Sequence, residues 1–430
     1  MRLASVPIPR VLTACGAAYL AAILVLVITQ TLLGSRLFFA VSAVLIAAYI
    51  MMIARIWHEP RAPRRLLYAA FALAVAFRIP PAVAPVNYDS DLVRYIWDGR
   101  VQRLGYNPYK VLPSDPALAH THWDRSAEMP SKNARTPYPP AAQLFFRLVV
   151  SLSDSRLAMK LAFLVCDLLT MLVLWRWLIA TGRSEWLTLT YAWNPLVVLE
   201  IAHSGHVDSL GVLWIAAAAF WLTRRRTALA AIAYVLAVAS KLVPIVLAPI
   251  FVGRITKRDA FFGGLFLVLL YLPFSTDGTP QLGAVPNVVD HIRFNAPAFV
   301  TLRGLTSPRI AAAVALALGL SVAIWTRVRL SAADPAAWAW PMAVAILFAP
   351  VIYPWYILYL TPFLFSVSTL PLSAWTMSII LVYEVWYQSR HGARWVVPMW
   401  VTVVEFTAVI AVAIIVVRRQ RRTQPAHEET

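Results

Sequence analysis

Long apolar stretches, each closed by arginines or by proline-rich polar sequence, follow one another along almost the whole chain. They cover about 11–33, 38–56, 65–86, 157–180, 186–201, 207–222, 227–239, 242–252, 259–274, 309–327, 336–352, 356–370, 372–388 and 395–417. A helix crosses the hydrocarbon core of a bilayer with about 20 apolar residues. Lipid cannot satisfy backbone N–H and C=O groups, so only helices or closed barrels span it. The expectation is an all-α polytopic transmembrane helical bundle of about 12–14 spans. Several stretches are short, and the pair flanking Ser240 and Lys241 is expected to be tilted, broken or re-entrant. The composition agrees, with 60% hydrophobic and only 13% charged residues, against about half and a quarter in soluble domains. The first stretch is too long for a signal-peptide core and reads as a retained span. Cys15 and Cys166 both lie in apolar sequence, where two isolated thiols argue against a disulfide and make no metal site.

The net charge of +18 suggests nucleic acid only until its placement is considered. No separate basic domain exists. The arginines sit in short runs between apolar stretches, as at Arg224–Arg226 and Arg418–Arg422. With the N-terminus in the cytoplasm, Arg55, Arg61, Arg64 and Arg65, then Arg183, the Arg224 run, Arg254–Arg258, and Arg327 with Arg329 all fall on the cytoplasmic side. That is the positive-inside pattern, and an even number of spans returns the C-terminus to the same side. Residues 1–422 form one integral membrane domain, and 423–430 a disordered cytoplasmic tail.

The opposite face receives the long connections. The largest, 87–156, carries Asp89, Asp91, Asp98, Asp115, Asp124 and Glu128 among many aromatics and prolines. A second, 275–308, carries Asp277, Asp290, His291, Arg293 and Asn295. Long loops on a packed scaffold tend to carry function.

Within YDSDLVRYIWDGRVQRLGYNPY, residues 88–109, Asp91, Tyr95 and Asp98 share one helical face and Arg94 lies on an adjacent stripe. This presents a carboxylate suited to general-base work at the membrane boundary, or else a solvated helix end with Asp91–Arg94 pairing. Residues 141–153 are expected to form an amphipathic interfacial helix, either covering a site or simply returning to the membrane. His203, His206 and Asp208 have spacing compatible with metal ligands, with sugar or phosphate binding, or with a polar turn. Lys241 stands in apolar sequence, where a charge is costly and marks a functional site by default; its partner is an outer-face anion such as a lipid phosphate, or it snorkels. Arg293, Arg303, Arg390 and Arg394 add outer-face cations. Tyr353, Trp355, Tyr356 and Tyr359 lie between prolines, as in an interfacial belt or a cavity lining. No Walker loop or dinucleotide glycine fingerprint occurs.

These motifs resemble those of the GT-C glycosyltransferases, nearest to the bacterial polyprenyl-phosphate-mannose-dependent mannosyltransferases. The resemblance rests on Asp91-x-x-x-Tyr95 followed by Gly105 and Asn107-Pro108-Tyr109, on Trp193-Asn194-Pro195 leading to His203 and Asp208, on Lys241 with Pro244, and on Tyr353-Pro354-Trp355-Tyr356. It spans about residues 85–365. It implies an inverting transferase in a bacterial inner membrane, moving mannose or another hexose from a polyprenyl phosphate to a lipid or glycan acceptor at the outer face. Asp91 would be the base, with Asp89 the alternate. Lys241, with Arg293 and Arg394, would receive the donor phosphate. Arg94, Tyr95, Asp98, His203, His206, Asp208, Tyr353 and Trp355 would contact substrate. A divalent cation is left open as a cofactor. Two extra spans precede the loop here, three in all, where many relatives have one. Two other classes share the gross pattern. A transporter or flippase would show repeated halves and mid-membrane polar residues on several helices. A non-catalytic assembly subunit would keep the loop without the Asp91 and Lys241 pair.

Overall fold

A computed structural model describes residues 6–85, 91–275 and 283–423. Asp89, Asp277 and the tail from 424 lie outside the described residues. The chain is 76% helical, and among the described residues the only β pairing is an isolated bridge between Phe294 and Val351. Among the described residues, six helices are long and apolar enough to cross a membrane: Ile8–Ile28 (α1), Arg36–Ile56 (α2), Arg64–Val83 (α3), Arg156–Ala180, Pro308–Arg329 and Met399–Arg421. The protein is a polytopic α-helical membrane protein.

Most remaining apolar stretches are shorter helices or are broken, and the breaks have visible causes. The stretch 186–201 is interrupted at Trp193-Asn194-Pro195. Pro195 cannot donate a backbone hydrogen bond. Asn194 turns the chain instead, its side-chain oxygen accepting from the Leu196 N–H at 3.0 Å. The carbonyl freed at Ala192 accepts from Arg78 at 2.7 Å. Beyond the break, Val198–Ser204 winds as a π-helix ending on left-handed Gly205, a geometry common near functional sites. The stretch 242–252 is split into Val243–Leu247 and Ala248–Phe251, and 356–370 is mainly a tight 3-10 helix over Pro354–Phe363.

Arg78 on α3 and Asp167 on Arg156–Ala180 are both fully buried. Their ion pair closes at 2.5 Å, and Tyr191 donates to the same carboxylate at 2.7 Å. Unpaired charge at this depth costs several kcal/mol; here every group has a partner, so the cluster locks α3, the long helix and the break together.

The basic connections gather at one end of the bundle. Ser184 donates to Glu59 O at 2.6 Å. Arg183 lies over Phe365, Thr223 reaches Ala332 O, and Arg254 donates to Arg327 O and Leu330 O. The large loop is built at the other end. There Asp91–Arg103 (α4) packs on Pro140–Leu152 (α5). A Cβ on Gly99 would stand 2.7 Å from Phe146 O, so only glycine allows this approach. The helix α5 buries Gln143, Phe146, Val149 and Val150 and exposes Arg147, Leu148, Ser151 and Leu152. The apolar face of α5 packs inward on α4 rather than lying alone on lipid. Lys160 on Arg156–Ala180 (α6) donates to Pro81 O at 2.6 Å and Ala84 O at 3.1 Å. It thereby caps the proline-containing end of α3, where the chain enters the loop.

Candidate active site

At the loop end of the bundle lies a cavity of about 710 Å³, within the range of small-molecule sites. Asp91, Tyr138, His206, Lys241, Tyr353, Trp355 and Arg390 all line it. Asp91 opens α4. Its Oδ2 accepts from the Tyr138 hydroxyl at 3.1 Å and more distantly from Tyr95 at 3.5 Å. Burial and the neighbouring Asp91 charge push the Tyr138 phenol well above its ordinary value, so it stays protonated and donates. Among the described residues the carboxylate is held by these two phenols, and it lines the cavity.

The ammonium of Lys241 ends the helix Thr227–Ser240. It pairs with buried Asp208 at 2.6 Å and sits 4.0 Å from the Tyr356 ring centre. Asp208 is 1% exposed and does not line the cavity; it holds the lysine in place. His206 Nδ1 lies 2.8 Å from Glu200 Oε2, and Tyr383 donates to the other oxygen of Glu200. The imidazole stacks on Trp355 at 4.1 Å. Trp355 stacks on Tyr353 at 4.5 Å, and Tyr353 on Phe294 at 4.4 Å. A column of four rings therefore forms one wall.

The other residues singled out in the sequence fall elsewhere. Arg94 pairs with Asp98 at 2.8 Å rather than with Asp91. Asp98 also accepts from Thr136 at 2.6 Å and Gln143 at 2.8 Å, a complete set for a buried carboxylate. Arg94 further donates to Ser131 O and Ala134 O. The pair thus shapes the 130–139 segment, whose prolines and Tyr138 line the cavity. Tyr95 is buried behind Asp91 and His203 is buried behind the cavity wall; neither lines the cavity. Arg293 folds onto the carbonyls of Val288, Asp290 and Ile292, and Arg394 is exposed. Neither lines the cavity, whereas Arg390 does. Asn107 of the Asn-Pro-Tyr motif donates to Phe274 O at 2.7 Å and Tyr109 to Tyr138 O at 2.7 Å. The motif anchors the loop. Among the described residues no three His, Cys, Asp or Glu side chains converge as metal ligands.

Besides Asp167, the buried acids Glu200 and Glu405 escaped the sequence reading. Glu200 orients His206. Glu405, fully buried in the last span, accepts from Trp375 at 2.7 Å and Asn295 at 2.9 Å. A single acid inside an apolar run was the available signal in both cases.

Residues 11–257 match the family described as alpha-(1->6)-mannopyranosyltransferase, N-terminal domain, of GT-C type. The match covers more than half of the chain. The chain belongs to this family. It is therefore a membrane glycosyltransferase of a mannosyltransferase family. No curated protein and no solved structure matches it. The family-matched segment supplies Asp91, Tyr138, His206 and Lys241, while Tyr353, Trp355, Trp386, Arg390 and Trp395 come from the remainder.

Proposed function

We propose that this chain transfers a mannosyl residue, with inversion, from a polyprenyl phosphate to a lipid or glycan acceptor at the outer face of a bacterial inner membrane. The observation that carries the proposal is one cavity lined by both the Asp91 carboxylate and the Lys241 ammonium, at the end of the bundle away from the arginine-bearing connections. Positive-inside placement makes that end extracytoplasmic and both termini cytoplasmic.

Inversion requires one carboxylate opposite the leaving group. Asp91 takes the proton of the acceptor hydroxyl as that oxygen attacks the anomeric carbon. The bond to the phosphate breaks, and the phosphate leaves as an anion. Lys241 and Arg390 offset its charge where it develops. Asp208 keeps Lys241 aimed. Apolar lining from Val285, Val288 and Ile292 suits a prenyl chain entering the same space.

The test is incorporation of labelled mannose from a polyprenyl-phosphate donor in membranes. Asp91→Asn is expected to abolish transfer with membrane insertion intact, and Lys241→Ala to raise the donor KM more than the acceptor KM. Wild-type activity in Asp91→Asn, with loss in Asp89→Asn, moves the base to Asp89. Donor dependence unchanged in Lys241→Ala rejects the phosphate role.

A further inference from the structure

The family-matched segment leaves one side of the cavity to the rest of the chain, and that side is aromatic. Trp395 stands in the connection between Glu384–Arg390 and the last span. It is 43% exposed yet lines the same cavity as Asp91. An indole that merely anchored the protein at the interface would face lipid. Instead Trp395 is backed by Trp386, at 4.7 Å and 67° between planes, and by Phe294 at 5.8 Å. Tyr353, stacked on Phe294 at 4.4 Å, lines the same cavity as Asp91 and Trp395. Ser389 adds a hydroxyl to the same cavity.

We propose that Trp395, held by Trp386, is an acceptor-sugar subsite that stacks a pyranose ring while the neighbouring hydroxyl is presented to Asp91. The C–H face of a pyranose is weakly positive and apolar, and an indole face is negative and flat. A rigid aromatic contact of this kind loses little conformational freedom on binding. The subsite lies outside residues 11–257, so it makes the C-terminal part of the chain the selector of acceptor. This proposal rests on the glycosyltransferase reading of the cavity.

The experiment uses the full chain in lipid nanodiscs with two readouts. The first is saturation-transfer NMR with α-linked mannotriose. The second is steady-state transfer from a polyprenyl-phosphate-mannose donor to the same trisaccharide. In the wild type, ring C–H hydrogens receive saturation from the protein. Trp395→Ala is expected to remove that transfer and raise the acceptor KM about tenfold, the scale of one lost aromatic contact, without moving the donor KM. Trp395→Phe is expected to restore most of both. An acceptor KM within about twofold of wild type in Trp395→Ala, donor and acceptor KM rising together, or no rescue by Phe overturns the subsite. A wild type that binds mannotriose through Trp395 but transfers nothing supports the subsite and defeats the catalytic reading instead.

Discussion

Asp91 differs from the other acids around it in what surrounds it. Asp98, Asp167 and Asp208 are each buried against a cation, and such carboxylates are structural. Among the described residues the side-chain donors to Asp91 are phenols, and it opens onto the cavity, the arrangement a base needs. Tyr138→Phe removes a hydrogen bond to a charged group, about 1.5–3 kcal/mol. The phenol also fixes the carboxylate's orientation, and its loss is expected to lower kcat roughly ten- to hundred-fold by misplacing the base, read in the labelled-sugar assay with protein level unchanged. Asp91 and Lys241 were legible in the sequence because each is a polar residue at the end of an apolar run. Arg390 could not be separated from Arg293 and Arg394 that way. All three are arginines in polar connections between apolar runs, and only folding turns Arg293 back onto its own carbonyls.

The helices explain themselves when their breaks are traced to partners. Asn194-Pro195 frees Ala192 O, and Arg78 arrives from α3 to satisfy it. Asp167→Ala is expected to cost about 3–5 kcal/mol by leaving Arg78 buried without its counter-ion, seen as a lowered Tm of the purified protein. Double substitution of Arg78 and Asp167 by leucine is expected to recover part of that loss. Glu405 does comparable work from the last span. It holds Asn295, next to Phe294, whose backbone brackets the cavity wall by donating to Pro350 O at 3.2 Å and accepting from Ile352 N–H at 2.9 Å. Glu405→Leu leaves Asn295 and Trp375 without an acceptor, about 1–3 kcal/mol for each buried group, and is expected to lower Tm, while Glu405→Gln keeps most of it. The apolar stretches gave the existence of these elements, but periodicity carries no record of a distant carbonyl or amide.

At the scale of the whole protein, the sorting of connections makes a direct prediction. Tyr106 is exposed beside the cavity end and Arg225 at the opposite end, and both native cysteines are buried. A cysteine at Tyr106 is expected to react with a membrane-impermeant thiol reagent on intact cells, and one at Arg225 only after permeabilisation. The reverse result inverts the topology and removes the outer-face reading. Composition and the alternation of apolar runs with arginines were enough to determine the membrane class, the helical architecture and which connections share a side, because lipid imposes the same condition on every span regardless of its neighbours. Which acid stands open and which is locked to a cation, which arginine turns inward, and that the last third of the chain walls the cavity were decided only by tertiary structure. Those properties depend on which side chains meet once the helices are packed: Asp167 meets Arg78 and Asp208 meets Lys241 from separate helices, and Tyr383 with Glu200 and Asn295 with Glu405 join positions more than a hundred apart. Apolar periodicity does not record these pairings.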